Sequence, residues 1–202
     1  MQRLSRRQLG FLTMGLVAAA GSSRSWAGDV GETAIGDPNA PVTMIEYSSL
    51  SCPHCASFHN NTYPELKKRY IDTGKVRMIF RDFPLNQPAV LATVIAHCGG
   101  SDRYIGFIDM MFKTQATWAQ SHDPMSELKK LARLGGLSEE RVDACLNDQD
   151  LVDGILQGRL DWQKEHNVQS TPTFVINDEV YPGNRSIDDF AAIIEPLIGG
   201  AS

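Results

Sequence analysis

The sequence of 202 residues is short of cysteine and of basic residues, and each shortage excludes a class of protein. Four cysteines are too few for a small secreted domain that relies on disulfides instead of a core. Lys and Arg number 19 against 24 Asp and Glu, so the basic face typical of nucleic-acid binding is missing and no such partner is expected. Seventeen glycines and ten prolines are ordinary shares, which excludes collagen-like and low-complexity chains.

Long apolar runs are also missing. After residue 27, no stretch approaches the roughly 20 apolar residues of a membrane-spanning helix. Residues 1–27 have a basic start, an apolar centre from Leu9 to Ala20 and small residues up to Ala27, which is the order of a cleaved export signal. Arg6 and Arg7 lie in a stretch that resembles the twin-arginine export consensus, with an ordinary secretory signal as the alternative.

Removal of this signal makes the chain more acidic. Residues 1–27 hold four arginines and no acidic residue, so the remainder has 15 basic and 24 acidic groups and a net charge of −9. With no later apolar span, we expect the mature protein to be free in the periplasm, an oxidising compartment. Its length suits one domain, or one domain that carries a large insertion.

The order of the predicted elements indicates a mixed α/β fold. Val42 to Tyr47 and Val76 to Phe83 are predicted strands, and helical spacing from Pro53 to Gly74 completes a β-α-β unit between them. Helical periodicity then occupies about residues 88–166. A strand, a hairpin turn and a last helix follow, at 173–176, 177–178 and 186–197. The pattern therefore predicts one α/β domain formed by residues 28–86 and 167–202, with residues 87–166 as a helical insertion.

The chemistry of the sequence is concentrated in Cys52-Pro53-His54-Cys55, between the first strand and the first helix. Backbone N–H groups and the dipole at a helix start favour the thiolate form of Cys52. Cys55, one turn further on, can close a disulfide with Cys52 and exchange two electrons through a mixed disulfide. A hydrogen-bond donor or positive charge on His54 would stabilise the thiolate further, which makes the disulfide a better oxidant.

Metal binding is an alternative use of this motif. A closed zinc site needs four ligands, and the sequence has no second C-x-x-C. Cys52, His54, Cys55 and His59 are nevertheless close enough in sequence to bind a soft metal such as Cu(I). A periplasmic copper- or zinc-binding protein that uses Cys52, His54 and Cys55 therefore remains an alternative, although we expect no metal and no cofactor. A purely structural disulfide is disfavoured because so small a loop removes little entropy from the unfolded chain.

Two further features point to the same site. Pro172 precedes a late strand, so it must begin that strand or adopt a special peptide geometry. A cis Thr171–Pro172 bond would leave the Thr171 backbone free to pair with an extended substrate, although only about 5–6% of X–Pro bonds are cis. Glu46 is an acidic residue in an apolar strand just before the thiols, which favours a proton-transfer role over a solvent-facing one.

These residues together resemble the DsbA family of periplasmic thiol-disulfide oxidoreductases, over about residues 30–198. The shared pattern is an acidic residue six positions before a C-P-H-C motif, a helical insertion, and a Thr-Pro pair before a strand. The resemblance implies an α/β, thioredoxin-like fold with an inserted all-helical domain and a cis bond before Pro172. It also implies that Cys52 is the exposed nucleophile, that Cys55 is buried and resolves the mixed disulfide, and that Glu46 assists proton transfer to it.

The resemblance further implies an enzyme that introduces disulfide bonds into unfolded or reduced exported proteins. In this family a quinone-linked membrane partner reoxidises the thiol pair. Only Gly28 to Ala40 precede the first predicted strand, too few residues for the dimerisation stalk of dedicated isomerases, so we expect a monomeric oxidase. Thr171 departs from the Val that strong oxidases often carry there, which leaves a disulfide isomerase or reductase as the alternative.

The two remaining cysteines, Cys98 and Cys145, are expected at helix ends in the helical block. In an oxidising compartment, a structural disulfide between them is the simplest interpretation. Disulfides in the helical domain also occur in some relatives of the family. A reactive thiol at Cys98, marked by the neighbouring His97, is the alternative.

Overall fold

The sheet positions the site, and it is mixed and five-stranded. A computed structural model describes residue 30 and residues 32–200, so the predicted signal at 1–27 lies outside the described residues. The strands are β1 (Glu32–Ile35), β2 (Val42–Ser48), β3 (Val76–Asp82), β4 (Thr173–Ile176) and β5 (Glu179–Pro182), in the order β1-β3-β2-β4-β5. Only β2 and β3 are parallel, which confirms the β-α-β unit, and β2 occupies the centre of the sheet.

One strand was missed by the sequence patterns. β1 pairs antiparallel with β3 and lies within the segment that was expected to precede the first strand. It has four residues, Glu-Thr-Ala-Ile, and only half-buried or exposed positions. So short an edge strand carries no clear alternation of apolar and polar residues, and its partner, not its own pattern, makes it a strand.

The predicted helix from Pro53 to Gly74 is interrupted twice. It consists of α1 (Pro53–Ser57), a π-helical segment Phe58–Thr62, α2 (Tyr63–Leu66) and a second π-helical segment Lys67–Ile71. Pro64, at the start of α2, has no N–H to donate and would crowd the carbonyl four residues before it in a regular α-helix. A wider turn before Pro64 relieves this conflict, as the bond from the Tyr63 N–H to the Phe58 carbonyl shows.

The helical block between β3 and β4 agrees closely with its prediction. Its helices are α3 (Gln87–Cys98), α4 (Ser101–Lys113), α5 (Gln115–Ala119), α6 (Pro124–Leu134), α7 (Glu139–Leu146) and α8 (Gln149–Glu165), and α9 (Ile187–Gly199) closes the chain after β5. Ser138 and Ser186 are the N-caps of α7 and α9, and each accepts a backbone N–H bond from the first turn. Within the described residues, no helix is long and apolar enough to cross a membrane.

The helical block shares its core with the sheet. Met44 and Phe174 from the sheet and Trp118 and Leu128 from the block belong to one continuous cluster of buried side chains. The block is therefore packed on the sheet rather than tethered to it, and this packing allows residues of the block to contact the thiol site.

A disulfide joins two helices of the block. Cys98 at the end of α3 and Cys145 in α7 are both buried, with their Cα atoms 5.9 Å apart. The neighbouring His97 is bound to Asp82 of β3, with 2.6 Å between Nε2 and Oδ2. Both groups that suggested a reactive thiol at Cys98 thus have partners in the structure.

Replacement of both cysteines by alanine should destabilise the protein. The bridge spans 47 residues, so its loss should lower the free energy of unfolding by about 4 kcal/mol because the unfolded chain regains loop entropy. Urea unfolding at equilibrium measures this loss. Each single substitution breaks the same bridge, so Cys98→Ala alone should cost nearly as much as the double variant. Equal stability of the double variant and the wild type would contradict the prediction.

Candidate active site

The thiol pair lies where the central strand passes into the first helix. Cys52 is the N-cap residue of α1, in extended conformation, and Pro53 occupies the first helical position, where a missing N–H costs nothing. A turn after β2 is closed by a 3.0 Å bond from the Cys52 N–H to the Ser49 carbonyl. Cys55 lies one turn into the helix, and both cysteines are free thiols in this structure.

The surroundings of Cys52 stabilise its thiolate form. Its pKa is lowered to about 5, first by a hydrogen bond from the Cys55 thiol and further by the backbone N–H groups of Cys55 and His54 at the helix start. Partial burial of Cys52 opposes this shift but does not cancel it. At neutral pH the first thiol is therefore negatively charged.

Cys55 has the opposite character. Its side chain is fully buried, and burial raises the pKa of its thiol well above the ordinary range. Its hydrogen bond to Cys52 and the negative charges of Cys52 and Glu46 raise the pKa further. Two thiols three positions apart thus hold different protonation states, one charged and one neutral.

Access to Cys52 is more restricted than the resemblance implied. Cys52 was expected to be exposed, but its exposed fraction is only 6%, compared with 0% for Cys55. The Thr171 carbonyl oxygen lies 3.3 Å from Cys52 Sγ and covers it on one side. The Gln115 side chain donates to the carbonyls of Leu50 and Cys52, at 2.7 and 3.0 Å, and holds the loop against the helical block.

Gln115 is a site residue that the sequence patterns missed. It begins α5, and its side chain is buried although it is polar. It lies 63 positions from Cys52 in the chain, and no local motif connects the two. Its buried amide donates its hydrogen bonds to carbonyls of the loop that carries the thiols. This role in holding the loop is visible only in the tertiary structure.

Thr171 and Pro172 lie beside the thiols, as expected. The Thr171–Pro172 peptide bond is cis, and Pro172 immediately precedes β4. The Pro172 carbonyl accepts the Gly183 N–H at 2.8 Å, which fixes this turn to the end of the β4–β5 hairpin. The turn therefore presents the Thr171 carbonyl to Cys52 from a rigid support.

Glu46 is fully buried in the centre of the sheet, opposite Phe80 of β3 and Phe174 of β4. Its two carboxylate oxygens lie 3.1 and 3.0 Å from Nε2 of His59. A solvent-facing position of Glu46 at a sheet edge is therefore wrong. The partner, His59, had been considered only as a metal ligand, because its pairing with a strand residue is not visible in the sequence.

Comparisons with known proteins agree with this geometry. A family model described as Thioredoxin matches residues 29–196. The crystal structure of Wolbachia pipientis alpha-DsbA1 is 32% identical, with a TM-score of 0.79 over 84% of this chain and 92% of that one. This chain belongs to the DsbA family. The thioredoxin-like fold with its added helices is thereby confirmed.

Curated DsbA-type relatives extend the comparison. A Rickettsia bellii protein named "Putative protein-disulfide oxidoreductase" is 30% identical over 171 residues, which are 84% of this chain and 66% of that protein. Disulfide bond formation protein D of Bacillus subtilis is 26% identical over 175 residues, 84% of this chain and 78% of that protein. The chain spans between 61% and 66% of the length of the Rickettsia relatives that it matches.

The metal-binding alternative finds no support in the arrangement of this DsbA-family site. The His54 side chain is exposed, and His54 acts on Cys52 through its backbone N–H. His59 is bound to Glu46 instead of facing the thiols. Throughout residues 32–200, no three His, Cys, Asp or Glu side chains are grouped so that they could hold a metal ion. Stabilisation of the thiolate by the His54 imidazole remains a prediction.

Titration of the reduced protein should show one thiolate forming near pH 5. Above about pH 5 Cys52 is deprotonated and absorbs in the ultraviolet, and below it the absorbance falls as the thiol is reprotonated. Cys52→Ala should abolish the transition. Cys55→Ala removes the thiol that donates to Cys52, so the transition should move to higher pH.

Cys55→Ser is the matched control for this titration, because its hydroxyl retains a donor. Its transition should stay closer to that of the wild type than the transition of Cys55→Ala does. A Cys52 transition near the ordinary pKa of about 8.5 in the wild type would contradict the assignment.

Proposed function

We propose that this protein catalyses thiol-disulfide exchange through Cys52 and Cys55 and introduces disulfide bonds into exported proteins. The observation that carries the proposal is the opposite shift of the two thiol pKa values at one helix start. A stabilised Cys52 thiolate favours the reduced pair, and a favoured reduced form makes the corresponding disulfide an oxidant.

The proposed reaction begins with a substrate thiolate that attacks Cys52 Sγ of the Cys52–Cys55 disulfide. A bond forms between the substrate sulfur and Cys52, the Cys52–Cys55 bond breaks, and its electron pair leaves on Cys55. Cys55 takes up a proton, which its raised pKa favours. A second substrate thiolate then attacks the first substrate sulfur and releases Cys52 as a thiolate. The substrate loses two electrons, and of its two thiol protons one goes to Cys55 and one to solvent.

The surroundings of the thiols assign the other roles. The Thr171 backbone beside Cys52 would pair with an extended substrate chain, and Pro172 holds that turn in place. Glu46 would assist the transfer of the proton that Cys55 takes up, since its carboxylate is close enough to raise the pKa of that thiol. Pro53 is the first residue of the helix that follows Cys52. The His54 side chain is exposed and could contact the substrate.

The setting that we propose for this reaction is the periplasm. The signal-like residues 1–27 and the disulfide at Cys98 both suit an oxidising compartment. Substrates would be unfolded or reduced exported proteins, and reoxidation would come from a quinone-linked membrane thiol oxidase, as the family implies. The protein would act as a monomer, and it would need no cofactor for exchange between sulfur atoms.

A disulfide isomerase or reductase is the second candidate, and Thr171 is the observation that favours it. The Thr171 hydroxyl is buried beside Cys52, and a side-chain hydrogen bond from Thr171 contributes to the lowered pKa of that thiol. A polar side chain that acts on Cys52 alters the environment of the thiolate, and with it the balance between the oxidised and reduced pair.

The reduction potential of the Cys52–Cys55 pair, equilibrated against glutathione, separates these functions. We expect a value near about −120 mV, the potential characteristic of a strong oxidant such as DsbA, because the thiolate is strongly stabilised. A value between roughly −180 and −270 mV would overturn the oxidase assignment and favour an isomerase or reductase.

Turnover with a reduced, unfolded protein substrate provides the direct test of exchange. Cys52→Ala should abolish catalysed oxidation, because no sulfur then accepts the substrate thiolate. The Cys98→Ala, Cys145→Ala double variant, assayed below its unfolding temperature, should retain the activity. The two replaced cysteines lie in helices α3 and α7 and take no part in the exchange. Wild-type rates with Cys52→Ala would contradict the assignment of Cys52 as the nucleophile.

A further inference from the structure

The burial of Cys55 creates a problem of proton supply. Its side chain has no exposed surface, yet in each catalytic cycle it must gain and lose one proton. Glu46, the nearby acid, is itself fully buried and therefore has no direct contact with solvent. A further group must connect Glu46 with water.

His59 occupies the position that such a group requires. Its side chain is 1% exposed, and its Nε2 lies 3.0 Å from one Glu46 oxygen. The ring stacks on Phe112 of α4, with 4.1 Å between centroids and 20° between planes, and it has an edge contact with Phe58 and a tilted contact with Tyr63. These contacts hold the imidazole in one orientation, so its two nitrogens face different parts of the protein.

The second nitrogen points away from Glu46 and toward the helical block. Nδ1 of His59 is buried and has no hydrogen-bond partner among the described residues. The nearest acidic oxygen is Oδ1 of Asp109 on α4, at 4.0 Å. The Asp109 side chain is 36% exposed, so it reaches the solvent from the face of the block. A buried nitrogen left without a partner is costly, and here it lies between a buried acid and a half-exposed one.

We propose that His59 and Asp109 complete a proton relay that joins Cys55, through Glu46, to the solvent on the side of the helical block. His59 is a positioning residue that acts through Glu46, and Asp109 marks the outer end of the path. This proposal rests on the proposed function, since it concerns the proton that thiol-disulfide exchange places on Cys55.

Each half of the relay is balanced. When Cys55 leaves the disulfide as a thiolate, the Glu46 carboxylate takes the Nε2 proton of His59 and passes a proton on to Cys55. His59 regains a proton at Nδ1 from water beside Asp109. When the pair is reoxidised, the Cys55 proton travels the same path outward, and His59 takes it up at Nε2 and releases one at Nδ1.

Several other ionisable groups face this path and bear on its pH dependence. Tyr63 from α2 and Tyr104 from α4 remain protonated, because burial raises the pKa of both hydroxyls. Burial also raises the pKa of Asp109, while His59, Lys113 and Lys67 oppose that shift. Of these groups only Asp109 adjoins the second nitrogen of His59 and also reaches solvent.

The test follows one turnover of the reduced enzyme with oxidised glutathione. In the first step the Cys52 thiolate attacks glutathione disulfide, which forms a mixed disulfide and releases glutathione thiolate. In the second step Cys55 loses its proton and attacks Cys52 Sγ, and the second glutathione leaves. Acid quenching and mass spectrometry count the mixed disulfide over time. Only the second step needs the relay, so the first serves as an internal control.

His59→Gln keeps a donor toward Glu46 but cannot pass a proton from one nitrogen to another. We expect the mixed disulfide to form at the wild-type rate and to decay about tenfold more slowly, less than the roughly hundredfold effect of a direct acid or base. The pH profile of the decay should also differ between His59→Gln and the wild type, because the variant lacks the second ring nitrogen that passes the proton to the solvent side.

Asp109→Asn should slow the decay in the same direction, and the double variant should be no slower than His59→Gln, because both act on one path. Asp102→Asn is the matched control, since it removes an exposed carboxylate from the same helix and should decay at the wild-type rate.

Unchanged decay in His59→Gln across the pH range would overturn the relay. Equal slowing of both steps would also overturn it, because that result indicates a structural defect. A wild-type protein that forms no mixed disulfide would instead contradict the proposed function.

Discussion

The hydrogen bonds that hold a charged sulfur at the first turn of a helix organise the rest of this site. Cys52 can be a thiolate only while α1 begins at Pro53 and its backbone N–H groups and the Cys55 thiol point at the sulfur. A thiolate so placed requires that Cys55 stay neutral, since two adjacent negative sulfurs would repel each other. Burial of Cys55 satisfies this requirement, and the sheet and the helical block together provide that burial.

The helical block is part of the site in this structure. Gln115 ties the loop before Cys52 to α5, and Phe112 packs against the ring of His59. Asp82, at the end of β3, binds both His97 and Tyr104 of the block, at 2.6 and 2.7 Å. These contacts connect the end of the sheet that carries the thiols to a layer of helices, so that the polar groups beneath the thiols are enclosed.

Several features of the fold were predictable because they depend on residues close together in the chain. The β-α-β unit, most helices of the block and the caps at Ser138 and Ser186 follow from local spacing and from side chains that bond the next turn. Where the prediction was wrong, a distant residue decided the structure. β1 forms a strand because it pairs with the edge of β3. The low exposure of Cys52 depends on the Thr171 turn and on Gln115, both far away in the sequence.

The sequence by itself determined that two thiols stand at a helix start after a buried strand, because three-residue spacing and a proline at the first helical position act locally. The tertiary structure decided what surrounds them. Thr171 meets Cys52 across 119 positions of sequence, and Glu46 meets His59 across a strand and a helix. The order of the strands and the packing of side chains between layers determine such pairs. Neither can be predicted from the spacing of residues along the chain.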